Sequence, residues 1–111
     1  GYFGELRTKE VVVTEARMEH IRERHPQDVE LFILYGKETV VKPDILLVDE
    51  KHTGTVFAIK RLPETNLNVV VRLVMETDRE DRKNSVMTFY RIRERNLKKL
   101  MEKNRLLYSR E

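Results

Sequence analysis

The chain has 111 residues, no cysteine, three histidines and a formal net charge of +3 at pH 7. This length suits one domain with a single core, and a chain without cysteine has neither a disulfide framework nor a thiolate metal site. No apolar run approaches the roughly 20 residues of a membrane-spanning helix, and the N-terminus lacks a signal-peptide core. We therefore expect one domain over residues 1–111 that does not bind a membrane, with residues 1–10 as a leader or linker.

The basic residues are concentrated toward the C-terminus. Residues 1–78 carry 11 basic and 14 acidic side chains, whereas residues 79–111 carry 11 basic and 5 acidic ones. An electropositive segment is typical of a surface that binds a polyanion. Lysine-rich C-terminal helices also favour solubility and interact well with the helix dipole, so both interpretations stay open.

The first predicted helix lies in the segment TEARMEHIRERHP, residues 14–26. Thr14 is a favourable N-cap, and Pro26 disfavours helical geometry in the residue before it. The helix is therefore predicted to end close to His25. Before it, Glu10–Val13 is a short β-branched run that predicts either an opening strand or an extended lead into the helix.

Two histidines and several arginines make this helix the first candidate for chemistry. His20, His25 and Arg24 lie on the borders of a narrow apolar stripe centred on Ile21. Histidine exchanges protons near neutral pH and arginine binds phosphate through two hydrogen bonds, so the set suits reaction at a phosphodiester. The competing interpretation is an ordinary solvated helix face. Histidines five residues apart are poorly placed to share a metal ion, and no metal site is predicted.

The rest of the chain predicts a second helix, four strands and a closing helix. The segment QDVELFILYGKETV has a wide apolar face at helical spacing, and Gly36 is expected to end or weaken that helix. Helical spacing returns from Glu94 onward, and Leu106–Tyr108 is expected to add to the sheet or to pack beneath it. Between the helices the apolar period is two, which predicts strands at Ile45–Val48, Thr55–Leu62, Leu67–Met75 and Ser85–Ile92, with a charged loop over residues 77–84.

These elements predict an α+β fold with two N-terminal helices, a four-stranded antiparallel meander and a C-terminal helix, the helices covering one face of the sheet. Alternation then places Lys60, Arg72, Thr88 and Tyr90 together on the open face. An ordinary cross-strand pair of Arg72 and Tyr90 is the competing interpretation. The predicted core consists of Ile21, Phe32, Phe57, Ile59, Val71, Leu73, Met87, Phe89, Leu97 and Leu100.

Four segments carry a family resemblance through their order and spacing. They are HIRERHP in the first helix, VVKPD after the second, NLNVVVRL in a strand, and NSVMTFYRIRERNLKKL from the last strand into the last helix. Together they resemble the phage-associated branch of the barnase, EndoU, colicin and RelE-like RNase superfamily, over Val11 to Tyr108. The resemblance implies two helices before a four-stranded antiparallel sheet, and metal-independent RNA cleavage without a cofactor.

The resemblance also implies partners and a site of action. RNA is the expected substrate, and the cytoplasm is the expected site of action after delivery from a secreted or phage-borne protein. A cell that makes such a toxin needs a small acidic immunity protein to neutralise it. The alternative is a non-catalytic domain of a phage or mobile-element protein that binds nucleic acid or another protein.

The candidate site follows from the residues and the resemblance together. One of His20 and His25 is predicted to act as general base or acid, with Thr88 and Tyr90 orienting the phosphate. The resemblance points by position to both histidines, to Thr88 and to neighbouring Ser85 or Tyr90, and more weakly to Arg72. We expect at least one histidine to share a cleft with Thr88 or Tyr90 and with Arg24 or Arg72. The predicted substrate-binding residues are Arg24, Lys60, Arg72 and Ser85.

Overall fold

The structure, a computed structural model, describes residues 11–73 and 84–110. The predicted leader, most of the charged loop and the predicted strand end at Met75 lie outside these ranges. Within them the helices are α1 (Glu15–Arg24), α2 (Pro26–Val41) and α3 (Glu94–Lys103). The strands there are β1 (Val11–Val12), β2 (Ile45–Val48), β3 (Thr55–Arg61), β4 (Asn66–Arg72), β5 (Asn84–Ile92) and β6 (Arg105–Ser109).

The strands form one sheet in the order β1-β5-β4-β3-β2-β6. Strands β2 to β5 pair as antiparallel neighbours in chain order, and this confirms the predicted α+β fold and its central meander. The sheet is wider than predicted, because β6 adds antiparallel to β2 and the two-residue β1 pairs parallel with the start of β5. The chain therefore crosses the sheet through α3 on its way from β5 to the opposite edge.

The boundary between α1 and α2 follows the predicted local signals. The Thr14 side-chain oxygen accepts a hydrogen bond from the Arg17 amide at 3.2 Å, as an N-cap does. Pro26 occupies the first turn of α2, where a missing amide proton costs nothing, and it ends α1 at Arg24. His25 is the single residue between the two helices.

Helix α2 continues through Gly36 to Val41, so of the two predicted alternatives this glycine does not end the helix. A Cβ at Gly36 would lie 2.7 Å from ring atoms of Phe32, one helical turn earlier. The Phe32 ring in turn stacks on Phe89 of β5, with ring centroids 4.0 Å apart and planes 7° apart. The glycine gives the Phe32 ring room to lie flat against the sheet, and this contact offsets the roughly 1 kcal/mol that glycine costs inside a helix.

The sheet is buried on both faces, which corrects the prediction that helices cover only one. Helices α1 and α2 cover a cluster that includes Val56, Val69, Val71 and Phe89, and α3 covers a second cluster. The runs TVFAI and NLNVVV are nearly continuous in apolar residues, as strands covered on both sides require. Of the predicted core, six residues are buried and the other four are partly buried: Phe32, Leu73, Met87 and Leu100.

A β-bulge in β5 shifts the alternation on which the predicted faces depended. Val70 of β4 pairs with Thr88, whereas its neighbour Val71 pairs with Val86, so Met87 is the extra residue. As a result Val86 and Phe89 both pack toward α1 and α2, although they are three residues apart. A bulge of this kind leaves no mark in an apolar/polar pattern.

The predicted open face with Lys60, Arg72, Thr88 and Tyr90 together is wrong because of the register between β3 and β4, in which Arg72 pairs with Thr55 and Lys60 with Leu67. Lys60 pairs with Leu67 on the face that α1 and α2 cover, and its Nζ lies 3.7 Å from a carboxylate oxygen of Glu38 in α2. The other three residues belong to the α3 face, according to their registers with neighbouring strands.

Candidate functional site

A cleft of about 510 Å³ opens along the outer edge of β5. β1 pairs only with the first two residues of β5, so no strand in the described ranges borders the rest of that edge. The α1–α2 junction lies beside it, and the cleft receives side chains from both faces of the sheet. Its lining residues are His25, Asp28, Thr65, Thr88, Phe89, Tyr90, Arg91 and Arg93.

His25 brings an exposed imidazole to this cleft from a rigid backbone position. Its amide donates to the Ile21 carbonyl at 2.6 Å, and its own carbonyl accepts from the amides of Asp28 and Val29 at 3.0 and 3.4 Å. The residue therefore closes one helix and opens the next, while its side chain makes no capping hydrogen bond. The backbone of His25 is held by the fold, and within the described residues its ring nitrogens make no hydrogen bond.

Thr88 and Tyr90 enter the cleft from β5. The Tyr90 hydroxyl oxygen accepts a hydrogen bond of 3.0 Å from Nδ2 of Asn68, the residue paired with it on β4. Asn68 is fully buried among apolar side chains, and its Oδ1 has no partner within the described residues. A buried amide with an unsatisfied oxygen lowers the stability of the fold. The hydrogen bond that Asn68 does make is the one to the Tyr90 hydroxyl.

Arg91 lies on the other side of the β5 edge and is anchored by an ion pair. Its Nε donates to Oδ1 of Asp28 at 2.6 Å and its Nη2 donates to Gln27 at 3.2 Å. The Asp28 side chain is only 5% exposed, whereas that of Arg91 is 47% exposed. The buried carboxylate thus holds one edge of the guanidinium and leaves Nη1 free of partners within the described residues, as a phosphate-binding arginine requires.

Arg93 follows the end of β5 and is the N-cap residue of α3. It is exposed, lines the cleft and has no ion-pair partner in the described ranges. The next residue, Glu94, accepts hydrogen bonds from Arg61 and from Asn66 Nδ2, which join the start of α3 to the sheet. The hydrogen bond from Arg61, aided by that from Asn66, holds the pKa of Glu94 below its ordinary value. The carboxylate of Glu94 is therefore paired with Arg61.

Five of the predicted site residues lie outside the cleft. His20 and Arg24 are exposed on α1 without lining it, and Lys60 lies on the α1/α2 face of the sheet. Arg72 and Ser85 form a register pair near the start of β5. Ser85 lies three positions before Thr88, roughly 10 Å along a strand, and neither Arg72 nor Ser85 lines the cleft.

Arg91 and Arg93 are the cleft residues that sequence reasoning missed. Both stand in the segment YRIRER, directly after the predicted Thr88 and Tyr90. Arg91 is the second-last residue of β5, and Arg93 follows directly after the end of the strand. The sequence did contain a signal for both arginines, because they are basic residues at the end of a strand that carries other candidate groups.

The third histidine belongs to a separate turn. His52 Nδ1 lies 2.9 Å from Asp49 Oδ2 in the connection from β2 to β3. Burial alone would raise the pKa of Asp49, but hydrogen bonds from His52 and from the Lys51 amide outweigh it and lower that pKa. Across residues 11–73 and 84–110 no group of three metal-ligating side chains comes together, and no helix there is long and apolar enough to span a membrane.

A comparison with protein families identifies the fold and its class of activity. The model of the family described as phage-Barnase-EndoU-ColicinE5/D-RelE like nuclease2 matches residues 2–109. The chain belongs to this family. The resemblance seen in the sequence motifs is confirmed, and the chain is a nuclease-like domain of the barnase, EndoU, colicin and RelE type. Searches of curated proteins and of solved structures found no match.

Proposed function

We propose that this domain is a metal-independent endoribonuclease and that the cleft along β5 is its active site. One observation carries the proposal: His25 shares the cleft with Thr88 and Tyr90, which follow it by about 60 residues, and with two arginines. Nothing in the local sequence obliges these groups to converge. In a nuclease family, a histidine, hydroxyl groups and cations around one cleft are economically explained as a catalytic set.

His25 acts as the general base in this proposal. It removes the proton from a ribose 2′-hydroxyl, and the 2′-oxygen attacks the adjacent phosphorus. The bond from phosphorus to the 5′-oxygen then breaks. The products are a 2′,3′-cyclic phosphate on one fragment and a 5′-hydroxyl on the other, so no water molecule is consumed in the step.

Arg91 and Arg93 stabilise the charge that develops on the phosphoryl oxygens. Arg91 is suited to this because Asp28 and Gln27 fix one edge of its guanidinium before the substrate binds. Groups that are oriented in advance cost little reorganisation when charge develops. Thr88 donates a hydrogen bond to a phosphate oxygen and completes the set.

Tyr90 supplies the proton to the departing 5′-oxygen. Because its oxygen already accepts a hydrogen bond from Asn68, the hydroxyl hydrogen is directed elsewhere and is available to the substrate. Asn68 is therefore a positioning residue, and its burial within the sheet is explained by this contact.

The experiment that tests the proposed function compares two single-stranded substrates in excess EDTA. The wild-type domain is expected to cut an RNA oligonucleotide and to leave the DNA oligonucleotide of the same sequence intact, because only RNA carries the 2′-nucleophile. A His25→Ala preparation purified in parallel controls for contaminating host nucleases. Binding of both substrates without cleavage of either would favour the non-catalytic nucleic-acid-binding domain instead.

A further inference from the structure

A second groove, of about 340 Å³, lies on the α3 side of β5 and adjoins the cleft. Tyr90 and Arg91 line both depressions, so the two are continuous across the edge of the strand. The far wall of the groove is formed by α3, through Asn96, Lys99 and Lys103. A chain that leaves the cleft past Tyr90 would enter this groove.

The groove has the charge of a phosphate-binding surface. Lys99 and Lys103 are four residues apart on one helix, so their side chains are neighbours about 6 Å apart. Both are exposed, and within the described residues neither has a hydrogen-bond or ion-pair partner. No carboxylate lines the groove. The nearby carboxylate of Glu94 at the start of α3 is engaged by Arg61 and Asn66.

We infer that Lys99 and Lys103 form a second phosphate-binding subsite, which holds the single strand on one side of Tyr90 while the cleft holds the scissile phosphate on the other. This inference rests on the proposed function, since it assigns one polynucleotide to both depressions. It explains why the groove is lined by two unpaired ammonium groups and an amide, whereas its apolar residues, Ile92 and Leu100, are buried or partly buried. An acidic protein segment is the competing occupant.

The subsite is tested by binding, independently of cleavage. The probes are a single-stranded DNA octamer and a dinucleotide, both without a 2′-hydroxyl, titrated in EDTA at several salt concentrations. The test variant is Lys99→Gln with Lys103→Gln, because glutamine keeps the helix propensity of α3. The matched control is Lys98→Gln with Lys51→Gln, since both lysines are exposed and neither lines the cleft or the groove.

The test variant is expected to bind the octamer several-fold more weakly than the control variant and to bind the dinucleotide unchanged. Loss of two phosphate contacts should also reduce the slope of log affinity against log salt by about 1.4, at about 0.7 per contact for a single strand. Equal affinities and slopes for the two variants would overturn the subsite, as would a wild-type domain that binds neither probe. If the expected binding differences appear in a domain that cuts no RNA, the subsite stands and the proposed ribonuclease function fails.

Discussion

His25→Ala is expected to lower the rate of RNA cleavage by about 10²- to 10⁴-fold, the range over which a general acid or base typically contributes. The variant should remain folded, because the imidazole is exposed and the hydrogen bonds at this position belong to the backbone, which alanine retains. Cleavage of a defined RNA oligonucleotide under single-turnover conditions measures the effect on the chemical step. Circular dichroism and the thermal unfolding midpoint check the fold.

His20→Ala is the matched control for this substitution. His20 is also exposed and lies within α1, one residue beyond which His25 stands, but it does not line the cleft. The two variants change the same residue type and the same net charge, so general effects on solubility or on long-range attraction of RNA should be equal. A loss of activity in His20→Ala with full activity in His25→Ala would place the base outside the cleft and contradict the assignment.

Tyr90→Phe is expected to reduce the rate of RNA cleavage by about 10²- to 10⁴-fold, because it removes the proton donor. The ring is retained, so its packing against the α3 face is preserved. The substitution also removes the partner of Asn68, whose amide would then be buried without a hydrogen bond, at a cost of about 1–3 kcal/mol. The rate must therefore be measured at a temperature where the variant is shown to be folded.

An activated substrate separates proton donation by Tyr90 from a merely structural role. The substrate is a ribonucleoside 3′-phosphodiester in which a nitrophenyl group replaces the 5′-linked nucleoside. Its leaving group, nitrophenolate, departs without needing a proton. Tyr90→Phe should cleave this substrate nearly as fast as the wild-type domain, while remaining defective on RNA. Equal losses on both substrates would mean that Tyr90 shapes the cleft rather than donating the proton. His25→Ala should be slow on both substrates, because each requires a base.

Local signals in the sequence predicted most of the helix and strand positions. Thr14 and Pro26 fix the ends of α1 through the hydrogen-bonding groups of the backbone, which act within a few residues. The four meander strands were likewise recognisable from their apolar period and from turn residues between them. Phage-nuclease motifs in the sequence pointed to the family that the family model then identified.

Features that depend on distant contacts were not predictable in this way. The continuation of α2 through Gly36 depends on the Phe32 ring lying against Phe89, more than 50 residues later. The faces of β5 depend on a bulge at Met87, and the second layer formed by α3 depends on a crossover that no short segment encodes. For the same reason the sequence assigned Lys60 to the wrong face of the sheet, because that face is set by the pairing of β3 with β4.

The central claim is that a ribose 2′-oxygen attacks the phosphorus in the cleft, and the termini of the cleavage products test it most directly. The measurement is mass spectrometry of a short RNA oligonucleotide cut by the wild-type domain in EDTA, with His25→Ala as the control preparation. We expect fragments that end in a 2′,3′-cyclic phosphate and fragments that begin with a 5′-hydroxyl. Fragments carrying a 5′-phosphate and a 3′-hydroxyl would show that water is the nucleophile and would contradict the mechanism.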